Sequence, residues 1–376
     1  MVEDPLLRAL RDEVRAEGYY RPPTGRMMLE LASHVTLALG GIAAFLATEN
    51  LLLRLCALAV TTTGSLGITT YSHTASHYAT LRRKWANELL TYFGFTFFWG
   101  ESATYWWNKH VVGHHPVPNV IGADPDADLS PWFALTIDEV RASRGLLRFY
   151  YERLQCYVFP FTLAGMVFGM QSQGWSFVIS ALRDPARRSH KHWIDLGVLV
   201  LHYVVWIGVP LLFFRPLPVL AFYALRAAAL GYAVLAVAGP GHLPLYASCI
   251  GVDEPTEDLL LRQTATTANF TTGWLGRWLC GGLEYQVEHH LFPKVNHAYY
   301  PRLSPKVQEL CRQRGVPYHV CSWDRALWNT YRVLATPKHL EPDLEALRLP
   351  VPAAAPGNAP DAVDIRESLE LSDQTA

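Results

Sequence analysis

Charge is the first thing this sequence is short of. Only 17% of its 376 residues are Asp, Glu, Lys or Arg, against roughly 25% in soluble domains. So few charges could not cover the surface of a body this size, which argues against an ordinary soluble enzyme. With half the residues apolar, a disordered chain is excluded as well. Neither sign is in excess: 32 Lys and Arg face 33 Asp and Glu. No basic surplus exists to release counterions from nucleic acid, which is set aside as a partner. Thiols are equally sparse. The six cysteines are scattered, and no pair shows the two-residue spacing of a zinc or redox dithiol site or gives ground for a disulfide framework. Residues 1–26 lack the apolar core of a secretory signal, so the first hydrophobic segment has to direct insertion itself. No internal repeat stands out.

What is present is hydrophobic length. Residues 27–47 and 51–71, and then 194–214 and 217–237, are each apolar over the roughly 20 residues that cross a bilayer. They predict an all-α integral membrane protein: four transmembrane helices in two hairpins, with a cytosolic helical cap. Arg54 lies near enough to the end of its span to snorkel. Arg226, inside the fourth, demands a carboxylate, a cavity or a protein-buried face. Two shorter stretches, 89–99 and 157–170, are rich in aromatics or broken by Pro160 and glycines, and suit interfacial or re-entrant segments. Four crossings put both termini on one side. There Arg82, Arg83, Lys84, Arg183, Arg187, Arg188 and Lys191 flank the membrane, against only Arg54 and Arg215 on the other, which makes that side cytosolic. The division is then 1–26 as a cytosolic N-terminal segment, 27–345 as the membrane domain, and 346–376 as a disordered tail. The 12 Trp and 18 Tyr fit interfacial belts that contact membrane lipids.

Fifteen histidines are distributed over this plan. His73 and His77, directly after the second span, are one helical turn apart and share a face. His110 and His114 repeat that spacing, and His115 adds a neighbour pointing about 100° around the helix, a geometry that can serve two metals. His289 and His290 form another adjacent pair preceded by Gln286, and His242 emerges just beyond the fourth span. All eight fall on the predicted cytosolic side. Eight imidazoles with almost no thiolate nearby suit iron, and exceed what one four-coordinate zinc could use, so two metals follow. For His34, His190, His192, His202, His297, His319 and His339 structural roles are expected: His190 and His192 on lipid head groups, His202 in a helix–helix hydrogen bond. His297 lies only seven residues past the last pair.

The three clusters, HTASH, HVVGHH and QVEHH followed by Leu291, Phe292 and Pro293, resemble the histidine boxes of the membrane-bound fatty acid desaturases. The likeness runs from about residue 27 to 328 and is nearest to the front-end and acyl-lipid branch, through the Gln-led third box, Gln263 and the segment around Glu284 and Tyr285. It departs at Thr74 and Val111, where many relatives carry Asp and Asn. The resemblance implies that 27–345 is a desaturase domain with a non-haem di-iron centre, two Fe ions with O2 as co-substrate, acting on a fatty acyl lipid or acyl-CoA. It carries no His-Pro-Gly-Gly haem motif of a fused cytochrome b5, so electrons are expected from an external ferredoxin or from cytochrome b5 with its reductase. The expected location is the bacterial inner membrane or the ER membrane, with the active site on the cytosolic side.

Around such a centre, Asp124, Asp126, Glu101 and Glu288 are candidates to orient imidazoles by accepting their second N–H, and Gln286 is a weak ligand or water holder. Tyr285 and Asn269 are further candidates. An acyl chain has no polar handle, so an apolar tunnel has to fix it. Trp99, Tyr105, Trp106 and Trp107, with Phe97 and Phe98, are the candidate lining residues. Two other functions stay open: a membrane di-iron hydroxylase of an alkyl, sterol or carotenoid substrate, which HVVGHH also resembles, and a non-catalytic membrane metal or haem carrier.

Overall fold

The computed structural model describes residues 4–253 and 258–350. Four helices are long and apolar enough to cross a membrane: Thr24–Leu46, Leu51–Ser76, His190–Leu211 and Pro216–Gly241. Large apolar side chains stay exposed along them, Leu51 at 72%, Leu212 at 78% and Leu217 at 78%, as surfaces covered by lipid require. The first hairpin is held by small residues. A Cβ on Gly64 would lie 2.4 Å from the Ala38 nitrogen and one on Gly67 would lie 1.9 Å from the His34 ring, so glycine lets the helices touch. His34, thus wedged, stacks on Trp278 with ring centroids 3.9 Å apart.

The second span runs past its expected end at 71, through Ser76. Ser72 to Ser76 are all buried, and hydrogen bonds offset the cost of burying the hydroxyls: Ser72 Oγ donates to Leu90 O at 3.1 Å and Ser76 Oγ to His73 O at 2.7 Å. The stretch 89–99 becomes helix Lys84–Thr91 followed by a π-helix, Tyr92–Trp99, that stops at Gly100 with φ +83°. Its last carbonyls end inside the bundle, where each one needs a donor. His202 Nδ1 lies 2.7 Å from Phe97 O, and Trp206 Nε1 donates to the same oxygen at 2.9 Å. Arg226 Nη2 donates to Phe98 O at 2.9 Å, and Gln171 Nε2 to Trp99 O at 2.8 Å. Arg226 therefore faces protein rather than a carboxylate, with its guanidinium 3.8 Å from the Trp206 ring centre.

The expectation of a short broken segment at 157–170 is corrected. It belongs to one continuous helix, Gln155–Arg183, whose Phe159, Leu163, Val167 and Gln171 recur every fourth residue on the buried face. Pro160 would leave the Cys156 carbonyl without its N–H partner, and the Tyr331 hydroxyl donates to that carbonyl at 2.9 Å.

Two small parallel sheets qualify the all-α expectation: Val120–Ile121, Cys249–Gly251 and Leu340–Glu341 in one, Asn269–Thr271 and Val320–Ser322 in the other. They join loops far apart in sequence above the spans. The N-terminal segment is a helix, Pro5–Ala16, capped by the Asp4 carboxylate on the Leu6 and Leu7 amides. Its Leu7, Leu10 and Val14 pack into the cap core with Phe292, Leu303 and Val307. The 3-10 turn Leu344–Leu347 runs across the expected start of the tail at 346, and 351–376 lies outside the described residues.

Candidate metal centre

Three chain segments converge where the spans meet the cap. The last turn of Leu51–Ser76 presents His73, and His77 caps it, with ring centroids 5.1 Å apart. The second segment starts as an α-helix, Ala103–Trp106, and widens into a π-helix, Trp107–His114. The third is the short helix Gln286–Leu291, whose Val287 amide donates to Asn269 Oδ1 at 2.9 Å.

The π-turn changes how the second box is shared. The His115 amide donates to His110 O at 3.1 Å, an i to i+5 bond. His110 and His115 are thereby brought to one side, with their Nε2 atoms 3.1 Å apart, while His73 Nε2 lies 2.8 Å from His110 Nε2. Two imidazoles on one metal at right angles, each bonded at roughly 2.1 Å, would stand roughly 3 Å apart. His289 and His290, about 100° apart on their helix, turn to different sides. One group results from His73, His77, His110, His115 and His289, and a second from His114, His242 and His290; within each, the available ligand atoms lie within 4.8 Å of one another. His110 and His114 form a further group with Asp126.

The nitrogens that face inward fit metal ions. His77 Nε2, His289 Nε2 and His290 Nε2 are buried and have no hydrogen-bond partner, and Nε2 of His73, His110 and His115 meet only other imidazole nitrogens, a costly state that coordination would relieve. Burial, reinforced by the neighbouring imidazoles, holds His115, His242, His289 and His290 well below the ordinary histidine range, and burial brings His110 down to about 4. The neutral, ligating form is favoured. His114 is the exception: burial works downward, but the Asp124 and Asp126 carboxylates outweigh it and raise its pKa.

Outer contacts fix several rings. His114 Nδ1 lies 2.9 Å from both Asp124 oxygens, and Asp124 is itself held by the Asn119 and Asp126 amides at 2.7 and 2.8 Å. Asp126 pairs with Lys109 Nζ at 2.5 Å and stands 3.6 Å from His110 Nδ1. Gln286 packs against Gly241, where a Cβ would come within 2.1 Å of its side chain, beside His242; its Oε1 is buried without a partner. Asp124→Asn should weaken metal binding at the second group by roughly 10–100-fold, the usual loss when an imidazole's outer partner goes, measured by titrating the apo-protein with metal.

Two expected carboxylates are elsewhere. Glu288 accepts from the Tyr318 hydroxyl at 2.6 Å and Asn269 Nδ2 at 2.7 Å rather than from an imidazole, because it lies about 100° from His289 on a face turned to the cap. Glu101 is fully buried with neither oxygen hydrogen-bonded, so it orients no ring. Of the aromatics, Trp106 stacks on His110 with centroids 4.5 Å apart and donates to Ser76 Oγ at 3.1 Å. Trp107 donates to Ser76 O at 3.2 Å, Trp99 packs on Phe95, and Tyr105 donates to Gln173. Tyr285 packs against Tyr300.

Three further residues support the centre. Gln263 Oε1 lies 2.9 Å from His290 Nδ1 while its Nε2 donates to His115 O at 2.9 Å. The Tyr300 hydroxyl stands 3.3 Å from His289 Nδ1. Asp195, on the third span, caps the start of the helix that carries the second box. It accepts from the Ala103 and Thr104 amides at 3.2 and 2.9 Å and from the Ser102 and Thr104 hydroxyls at 2.6 and 2.5 Å. A lone acid in an apolar span is the signal that could have found it.

Comparison with known proteins agrees with this geometry. The chain is 27% identical over 275 residues to "Fatty acid desaturase 3" of Homo sapiens, covering 70% of this chain and 56% of that protein. It is 29% identical over 261 residues to "Delta(8)-fatty-acid desaturase" of Euglena gracilis, covering 66% of this chain and 59% of that protein. It is 27% identical over 274 residues to "sn-1 linoleoyl-lipid 6-desaturase" of Arthrospira platensis, covering 66% of this chain and 68% of that protein. The chain thus spans little more than half the length of the first two. The profile of the family described as fatty acid desaturase matches residues 49–322, which include all eight histidines of the two imidazole groups, and the chain belongs to that family.

Proposed function

We propose that this protein desaturates a fatty acyl chain, using O2 and electrons from an external donor, at two iron ions held by the two imidazole groups. The observation that carries the reading is the pair of adjacent, buried histidine groups with unpartnered nitrogens turned inward. Family membership and the names of the relatives support an acyl substrate. His73, His77, His110, His115 and His289 would hold one ion, and His114, His242 and His290 the other. Iron at these positions would supply, with O2, the oxidising power to remove two hydrogens from neighbouring methylenes; those two hydrogens, two electrons from the donor and two protons would together reduce O2 to two water molecules.

The chain's own part is to position and to exclude. Asp124 and Gln263 fix imidazole orientation, and the burial of the rings, His242 alone being half-buried, keeps bulk water from the reacting carbon. A ferredoxin, or cytochrome b5 with its reductase, would dock on the side of the membrane that carries Arg82, Arg83, Lys84 and Arg187, which we assign to the cytosol of a bacterial inner membrane or of the ER.

The test is expression in a host of known fatty acid content, followed by mass spectrometry with localisation of the new bond. A product lighter by two hydrogens is expected. One heavier by a single oxygen would make the protein a hydroxylase, and stoichiometric metal without consumption of O2 or reductant would make it a carrier.

A further inference from the structure

A cleft of about 550 Å3 opens beside the metal centre, between the start of the first span, the helix Trp274–Cys280 and residues 297–302. Its position is at the membrane surface. Arg26 and Glu30 belong to the first turns of a span, and Trp274, 82% exposed, is the kind of side chain that sits among lipid head groups. Arg26, Arg277 and Arg302 are exposed and line the cleft; Tyr71, Glu284 and His297 line it from the buried side.

The charges are unevenly used. Arg26 Nε holds Glu30 at 2.7 Å, and the Tyr71 hydroxyl also donates to that carboxylate, so Glu30 is fully engaged. Arg277 stands 3.9 Å from Glu284 with half its side chain in the open, and Arg302 has no ion pair among the described residues. Both guanidiniums line the one cleft, Arg277 holding Glu284 only at long range, and a guanidinium matches two phosphate oxygens at once. Glu284 Oε1, buried and without a hydrogen-bond partner, can accept an N–H or O–H from the same ligand.

The cleft is separated from the imidazoles by one layer of side chains. His297 Nδ1 lies 3.3 Å from Thr74 Oγ1, and Thr74 directly follows His73. The His297 ring packs edge-on to Tyr71 at 5.1 Å between centroids. Gly282, with φ +97°, leaves the room that His297 occupies, since a Cβ there would fall 2.3 Å from the His297 Cβ. A head group in the cleft would thus be a short chain's length from the metals.

We propose that this cleft binds the phosphate-bearing head group of the acyl donor, with Arg277 and Arg302 on the phosphate and Glu284 on a head-group hydroxyl or amide. The assignment rests on the acyl-chain reading above. Two sources share this chemistry: a coenzyme A thioester, through its phosphates and pantetheine amides, and a hydroxylated phospholipid such as phosphatidylglycerol.

The experiment is equilibrium binding to the full chain in phosphatidylcholine nanodiscs, with radiolabelled stearoyl-CoA, stearoyl phosphatidylglycerol and phosphate-free monostearoylglycerol as probes. Arg277→Gln and Arg302→Gln should each weaken one phosphate-bearing probe about tenfold, the size of a lost charged hydrogen bond, and leave monostearoylglycerol unchanged. The probe that responds names the source. Arg302→Lys keeps the charge and should retain most of the affinity, which guards against misfolding as the cause. Equal weakening of all three probes, or no weakening of either phosphate probe, overturns the proposal. Binding that depends on Arg302 in a chain that makes no unsaturated product keeps the cleft and removes the proposed reaction; turnover with Arg302-independent binding does the reverse.

Discussion

If the proposed reading holds, alanine at His289 should abolish the unsaturated product and lower bound metal from two ions per chain to one, while His290→Ala should leave the first ion and lose the second. The two residues are neighbours in sequence, yet their rings stand 87° apart, His289 with His73 and His77 and His290 with His114 and His242. A merely structural role would predict the same outcome for both. The loss of turnover should be at least about a thousandfold, because groups that act as one constellation fail together rather than by increments. Protein in the membrane fraction should persist, since each replacement removes a single hydrogen bond, that of His289 Nδ1 with Tyr300 or of His290 Nδ1 with Gln263. His114→Ala belongs with His290→Ala. Metal analysis of the purified variants, beside fatty acid profiles of the expressing cells, checks the set; turnover in His289→Ala would remove that residue from the ligands.

The histidine boxes were legible because adjacent imidazoles are rare, and the spans because hydrophobic length is. How the boxes divide was not. An α-helical reading pairs His110 with His114, but the segment is a π-helix, whose wider turn is imposed by packing that no local pattern encodes. The helix Gln155–Arg183 was hidden by Pro160, and what repairs the helix is Tyr331, 171 residues further along the chain. Glu288 was misassigned for a related reason: proximity in sequence to two ligands says nothing of the face on which a side chain projects, and Asn269 and Tyr318 claim it. Arg226 calls for a carboxylate, a cavity or a protein-buried face without deciding among them, and its partner, the carbonyl of Phe98, follows only from the π-helix ending inside the bundle.

Asp195 is the residue on which the second box hangs, and its substitution should have the other large effect. Five donors converge on one carboxylate buried in the third span: two backbone amides, the Ser102 and Thr104 hydroxyls, and the Thr96 hydroxyl at 2.9 Å. The carboxylate sits at the start of the helix that delivers His110, His114 and His115, where the helix dipole favours negative charge. Asp195→Ala leaves these donors buried without an acceptor, at about 1–3 kcal/mol for each that finds no substitute. Asp195→Asn keeps the volume but replaces one acceptor by an N–H that points at other donors. Because His110 and His115 belong to the first group and His114 to the second, both ions should be lost together in Asp195→Ala, a pattern that no single ligand replacement produces. Asp195→Asn should retain part of the metal with turnover lowered by tenfold or more, on the order of one lost charged hydrogen bond. Metal content against thermal unfolding separates the two contributions: apo-protein that unfolds at the same temperature as apo wild type, yet binds neither ion, places the effect in the positioning of the helix, and full metal content with unchanged turnover in both variants would show that the second box is held without this cap.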